Sequence, residues 1–299
     1  MTLDPMLLAI PFFSVTMAAE FLALRKRGDL KGYSLVDSAG SLTQGVGYLM
    51  TNALWRIVAL GAMTWLSQHA LFDIGFAWWA WPVVFVLDDL LFYWFHRFGH
   101  EVHLGWAAHH THHSSEHYNL STALRQSWTE QLYHPLFSVP LILLGFPLEM
   151  LIASWSFSLL YQYWLHTELI GSMGWFGLVF NTPSHHRVHH GANPEYLDRN
   201  YAGVLIVWDR IFGTFEPERA PVVYGTTTGF DRQQPLIVAF HQTGVMLRAF
   251  VGARTMRARL MAFLGPPGWS EDGVGTTATE QRQAALSPGD TSDPQVAAN

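Results

Sequence analysis

FAWWAWPVVFVLDDLLFYWFHRFGHE, residues 76–101, decides how this chain folds. From Phe76 to Phe95 only Asp88 and Asp89 interrupt the apolar run, which is long enough to span about 30 Å of hydrocarbon as a helix. Trp78, Trp79 and Trp81 crowd its start, where indole rings suit a membrane–water interface. The run then closes in His96-Arg-Phe-Gly-His100-Glu101. Residues four apart on a helix share a face, so His96 and His100 point into one space. The segment reads as a membrane helix that delivers two imidazoles at one end.

Similar apolar stretches flank it. One runs from Pro5 to Leu24, broken only by Glu20 and followed at once by Arg25, Lys26, Arg27 and Lys31. Basic residues at a span's end favour the cytoplasmic side, so the N-terminus is expected outside. A second, Gly45 to Leu66, carries Arg56, which must reach the interface or a partner. A third, Leu132 to Leu165, is interrupted by Pro135, Pro140, Gly145 and Pro147 and is expected to dip into the membrane as a helical hairpin. Its return leg ends at His166, on the same side as the other histidines. Leu247–Leu264 mixes Arg248, Arg254, Arg257 and Arg259 with apolar residues and suits either a membrane-surface helix or a packed helix with a basic face. Beyond Gly265 the chain is rich in Pro, Gly, Ser, Thr, Gln and Ala, and disorder is expected.

The predicted fold is thus all-α: a polytopic membrane protein with about four membrane-embedded helices and a cytoplasmic, histidine-rich helical cap. The predicted divisions are an N-terminal helix and basic loop (residues 1–40), the metal-bearing unit (41–220), a helical extension (221–265) and a loose tail (266–299).

Composition agrees. Of 299 residues, 49% are hydrophobic and 13% charged, against about 25% charged in ordinary soluble domains. A net charge of −6 gives no electrostatic footprint for nucleic acid. The lack of cysteine excludes disulfides, thiolate metal sites and iron–sulfur ligation. Any metal must therefore be held by imidazole or carboxylate. There are 16 histidines, and 14 of them fall between His96 and His190.

Those 14 are patterned. After His96 and His100 come His109-His-Thr-His112-His113 and His185-His186-Arg-Val-His189-His190. His109 with His113, and His186 with His190, are four apart and share a face. His112 and His189 point elsewhere and can serve a second ion. Eight imidazoles exceed one four-coordinate site, so two ions with open positions fit better. Imidazole suits Fe, Zn, Cu and Ni alike. His166 is a candidate ninth ligand. His110 and His185 are ambiguous beside better-placed neighbours, and His103 and His117 fall outside the spacing. Asp89, two turns before His96, could accept a ring N–H from a ligand histidine, or could pair with Arg56, Arg97 or Arg125. Glu101 adjoins a ligand and could deliver protons. No H-E-x-x-H, Walker A, G-x-G-x-x-G or G-x-S-x-G motif is present.

Several segments, among them Tyr93–Glu101, Ala108–Glu116, Tyr118–Ser127, Leu160–Glu168, Asn181–Gly191 and Asn200–Glu216, together resemble the fatty acid hydroxylase and sterol desaturase superfamily, and within it the alkylglycerol monooxygenase branch. The resemblance covers roughly residues 40–220. It implies a di-iron centre held by His96, His100, His109, His112, His113, His186, His189 and His190, and a catalytic role for Glu101. Asn119 and Asn181 are, with Asp89, further candidates for supporting the ligands. The resemblance implies O₂-dependent hydroxylation of a lipid C–H bond, with ether cleavage of alkylglycerols and a tetrahydropterin as reductant. Animal members of that branch extend further at the C-terminus. Cofactor-binding residues beyond the metal ligands are not readable. No haem, flavin or iron–sulfur motif occurs, so electrons must come from an external donor. The substrate is expected to enter from the bilayer, past Trp94, Phe95, Tyr161, Tyr163 and Trp164. Fatty acyl, sterol or aminolipid hydroxylases and desaturases share the metal motif. A membrane metal transporter would spread its ligands near the bilayer midplane, whereas these cluster at helix ends. A zinc hydrolase would work without O₂.

Overall fold

The computed structural model describes residues 5–230 and 233–287. Among these, no β-strand forms and the architecture is helical. Two long helices open the chain, α1 (Pro5–Arg27) and α2 (Leu35–Ser67). Arg25, Lys26 and Arg27 occupy the last turn of α1, where cations oppose the exposed carbonyl dipoles. α2 begins ten residues before the predicted apolar stretch. Ser34 caps it, its side chain accepting the Asp37 N–H at 3.4 Å. Its first turns are polar, with Asp37, Ser41 and Gln44 buried, because they face the histidine-bearing unit rather than lipid.

α1 and α2 are long and apolar enough to cross a membrane. Leu54, Ile57 and Val58 of α2 are 70, 73 and 65% exposed, a continuous apolar surface that water would not leave uncovered. α3 (Ala80–Glu101) packs through Ala80 and Val84 onto Leu141, Ile142 and Met150 of the next helices. α5 (His134–Leu144) and α6 (Leu148–Tyr163) form the predicted hairpin. Gly145, at φ 96°, supplies the left-handed turn between them and lies against the Phe72 carbonyl, where a side chain has no room. Their lengths correspond to about 16 and 24 Å, short of a full hydrocarbon crossing. Phe13 of α1 packs on Tyr163 of α6, with ring centroids 4.2 Å apart.

The helices that carry chemistry are short. α4 (His103–His113) follows α3 after one extended residue, Val102 (φ −119°, ψ 127°). Gly105 sits against the Phe98 carbonyl, so a larger residue would push α4 away from α3. α7 (Pro183–His189) starts with Pro183 and the cap Thr182. α8 (Val207–Phe212) follows. α9 (Pro235–Gly252) lies along α4, and α10 (Met256–Leu264) lies on both. The predicted basic stretch at 247–264 is therefore split, because Thr255 caps a new helix after the extended Ala253.

The tail differs from the expectation. Residues 278–286 form α11 (Ala278–Leu286), started by a Thr277/Glu280 capping box. Arg282 ties it down by donating to the Leu197 carbonyl at 2.9 Å. Composition hid this helix, since its order comes from a cap and one long-range bond rather than from apolar burial. The rest of the predicted tail, residues 288–299, lies outside the described residues.

Candidate metal centre

Nine imidazoles converge. His96 and His100 come from the end of α3, and His109, His112 and His113 from α4. His186 and His189 lie on α7, with His190 at its C-cap. His166 follows α6. All nine are buried. Their nitrogens fall into two groups, each within 4.8 Å: His96, His100, His109, His113 and His189 in one, and His112, His166, His186 and His190 in the other. Helical spacing explains the division. On α4, His109 and His113 share a face and His112 turns to the second group. On α7 the second group takes His186 and its partner His190, and His189 crosses to the first.

The ring orientations are fixed from behind. Nδ1–H of His96 donates to the Tyr201 carbonyl at 2.7 Å, and that of His112 to the Arg125 carbonyl at 3.3 Å. His166 donates to the Gln162 carbonyl at 2.9 Å, and His189 to the Arg199 carbonyl at 3.0 Å. His109 donates to the Glu130 carboxylate at 3.2 Å. A carbonyl or carboxylate can only accept, so each of these rings carries its proton on Nδ1 and a lone pair on Nε2. Yet Nε2 of His96 and of His109 lie 3.0 Å apart, and those of His112 and His166 3.2 Å apart. Two lone pairs at that distance repel unless a cation sits between them. The Nε2 atoms of His113 and His186 join the same sets, 3.2 Å from His109 and 3.1 Å from His166. The remaining three, on His100, His189 and His190, are buried without a hydrogen-bond partner. Imidazole–metal bonds of about 2.0–2.1 Å put neighbouring ligand nitrogens about 3 Å apart, which is the spacing found. The donor set fits metal in both groups.

Electrostatics agrees. Burial lowers the pKa of His109 to about 3. Burial first, and then repulsion from neighbouring imidazoles, holds His112, His113, His186, His189 and His190 well below the usual 6.5. These rings stay neutral and able to ligate at neutral pH. Below about pH 6.5 the unfolded chain takes up protons that the folded rings refuse, so stability present above that pH is lost as pH falls towards the depressed values. Metal-stripped protein is expected to lose stability as pH falls below about 6.5. A thermal unfolding midpoint that falls over that range checks this, and a midpoint that rises contradicts it.

Four residues singled out in the sequence stand elsewhere. Asp89 is engaged by the loop after Asn200 rather than by a ligand histidine. Its carboxylate accepts the N–H of Val204 (2.9 Å), the N–H of Leu205 (3.0 Å) and Nε1–H of Trp208 (2.9 Å). Asn181 grips the same loop, donating to the Ala202 carbonyl at 2.6 Å. Asp209 accepts from the N–H groups of Tyr201 and Ala202, both at 2.8 Å. All three fix the loop whose Tyr201 carbonyl pins His96. Asn119 braces a different contact, donating to the Gly32 carbonyl at 2.7 Å between α1 and α2. Glu101 points away from the imidazoles. It pairs with Arg97 at 3.0 Å and accepts from the Tyr201 hydroxyl at 3.3 Å. It lines a polar cleft of about 310 Å³ with Arg97, Asp198, Arg199 and Arg282.

Sequence reasoning missed two carboxylates, Glu130 on His109 and Asp198, whose Oδ1 is 3.8 Å from Nδ1 of His100. Asp198 and Asn200 both adopt left-handed backbone, φ 57° and 55°, around Arg199, whose carbonyl pins His189. Asp and Asn are the non-glycine residues that best tolerate that conformation, the one sequence signal available. Of the ambiguous histidines, His110 packs against Phe230 and His185 against Phe215, each outside both groups. His103 lies beneath Gly265, its N–H bonded to that carbonyl at 2.9 Å, and the His117 ring meets the Lys31 carbonyl.

A mainly apolar cavity of about 380 Å³ leads to the histidines. Its walls come from α1, α2, α3, α5 and α6, and it ends on His96, His109, His112, His166 and His186. Phe95 and Tyr163 line it as expected. Trp94, Tyr161 and Trp164 do not: Trp94 packs on Phe212, the Tyr161 hydroxyl donates to the Asn181 carbonyl, and Trp164 packs in the cluster with Phe13.

A helical protein with a polyhistidine metal centre at the end of an apolar cavity defines a class, and residues 81–214 match the fatty acid hydroxylase family model. More particularly, the chain is 40% identical over 265 residues to alkylglycerol monooxygenase of Danio rerio, covering 88% of this chain and 59% of that protein. It is 41% identical over 266 residues to alkylglycerol monooxygenase of Homo sapiens, covering 87% and 59%. Ornithine lipid hydroxylase OlsE of Rhizobium tropici is 30% identical over 174 residues, covering 55% and 50%. The chain therefore carries a fatty acid hydroxylase domain and is a homologue of alkylglycerol monooxygenases. It spans 59% of the length of those two relatives. No solved structure is significantly similar to it. With the domain identified, the histidine groups mark a metal site of the iron type, and the apolar helices mark a membrane protein.

Proposed function

We propose that this chain is a membrane-bound di-iron monooxygenase that hydroxylates a lipid C–H bond, in particular the ether-adjacent carbon of an alkylglycerol. The supporting observation is the meeting of an apolar cavity of about 380 Å³ with two groups of Nε2 atoms whose lone pairs face one another. His96, His100, His109, His113 and His189 would hold one iron, and His112, His166, His186 and His190 the other. Bound there, iron supplies O₂ activation and the oxidising power for an unactivated C–H bond. The protein's own part is positional. The carbonyls of Tyr201, Arg199, Arg125 and Gln162 keep Nε2 aimed inward. Apolar walls of α1, α2 and α6 hold the alkyl chain and exclude water from the reacting end.

The balance is RH + O₂ + 2 e⁻ + 2 H⁺ → ROH + H₂O. Hydroxylation next to an ether oxygen gives a hemiacetal, which opens to an aldehyde and glycerol. The electrons come from an external donor, a tetrahydropterin or a redox protein. α1, α2 and α3 are read as spans and the α5–α6 hairpin as the fourth membrane element. The N-terminus lies outside, and the histidines and C-terminus face the cytoplasm, as Arg25, Lys26, Arg27 and Lys31 favour.

Iron-loaded protein in detergent, given a labelled alkylglycerol, tetrahydropterin and O₂, is expected to release labelled aldehyde. Iron chelation should stop it and zinc should not restore it. Turnover without O₂, or with zinc alone, contradicts the reading in favour of a hydrolase. A hydroxylated lipid without aldehyde would move the substrate to an acyl chain, sterol or aminolipid, a reading favoured by the similarity to an ornithine lipid hydroxylase.

A further inference from the structure

The cavity wall beside the histidines is not imidazole alone. Glu130 lines the cavity on the Nδ1 side of His109, its side chain 14% exposed. Its Oε1 accepts the His109 Nδ1–H at 3.2 Å, and its second oxygen has no hydrogen-bond partner among the described residues. Two amides that line the same cavity are hydrogen-bonded elsewhere. Gln126 donates to the Ala123 carbonyl at 2.8 Å, and Gln162 to Ser158 Oγ at 3.0 Å. A carboxylate oxygen facing an apolar cavity has lost most of its water and gains from any donor brought to it.

We propose that Glu130 is a specificity-determining residue that accepts a hydrogen bond from a free hydroxyl of the lipid's polar head. This rests on the lipid-oxidising reading above. One oxygen orients His109 and the other holds the head, so the carbon next to that head lies against the Nε2 atoms. The alkyl chain then extends along the apolar walls past Phe13, Leu49 and Leu151. The site selects hydroxyl-bearing heads. A head with its hydroxyls capped would leave the oxygen unpaired.

The test compares binding, by calorimetry in detergent without reductant, of hexadecyl glycerol ether and of the same lipid with both hydroxyls methylated. The iron-loaded wild-type protein is expected to prefer the hydroxyl lipid by roughly tenfold or more. Glu130→Gln can still accept from His109 but offers the cavity an N–H donor. It should keep its iron and lose or reverse the preference. Glu130→Leu should lose both. A Glu130→Gln protein that discriminates as the wild type does, or that loses its iron, overturns the proposal. Wild-type protein that binds selectively yet oxidises neither lipid leaves this inference standing and refutes the monooxygenase reading. Oxidation of both lipids with equal affinity does the reverse.

Discussion

His189→Ala is expected to lower lipid oxidation by at least about a hundredfold and bound iron from two ions towards one. Groups that merely support a metal ligand typically cost 10- to 100-fold when removed, and His189 presents its own buried, unpartnered Nε2 to the first group. The informative part is which ion is lost. His189 shares α7 with His186, and His190 caps that helix, but its nitrogen lies with His96, His100, His109 and His113. The second group, His112, His166, His186 and His190, keeps all its members in this variant. His112→Ala is the mirror case on α4, sparing the first group. Iron analysis of the two variants checks the crossing. Retained turnover in either contradicts the ligand assignment.

Arg125→Met is expected to have the largest effect on stability. The Arg125 side chain is fully buried. It donates to Asp37 Oδ1 at 3.2 Å, to Ser114 Oγ at 2.9 Å and to Gln233 Oε1 at 3.4 Å. It thereby ties the start of α2 to the end of α4, and its carbonyl pins His112. Removing one partner of a buried pair costs about 3–5 kcal/mol, because the other charge is left unpaired. At about 2–4 °C per kcal/mol, the unfolding midpoint should fall by about 6–20 °C. Iron in the second group should weaken as well. Adding Asp37→Leu should recover much of the stability, since an apolar pair removes the stranded carboxylate. A single variant as stable as the wild type, measured by thermal unfolding in detergent, would show that the pair does not hold α2 and α4 together.

The histidines were legible because ligand pairs are local. Spacings of three and four residues on α4 and α7 carry the division into two groups without knowledge of the rest of the chain. The membrane helices were legible by length, and the α5–α6 break by Gly145 and Pro147. What escaped depends on contacts between distant segments. Asp89 serves the N–H groups of Val204 and Leu205, more than a hundred residues away, so its place near His96 in sequence misled. Asp37 and Arg125 are 88 residues apart, and their pairing explains why α2 begins before its apolar part. Glu130 meets His109 across a turn with no repeating pattern. The supports behind the ligands are mostly carbonyls, on Tyr201, Arg199, Arg125 and Gln162, and a backbone oxygen leaves no mark on residue type.

The most direct test of the two-ion centre is anomalous diffraction at the iron edge from crystals of iron-loaded protein. Two peaks are expected, one among the Nε2 atoms of His96, His100, His109, His113 and His189, the other among those of His112, His166, His186 and His190. A single peak, or iron bound away from these imidazoles, would contradict it.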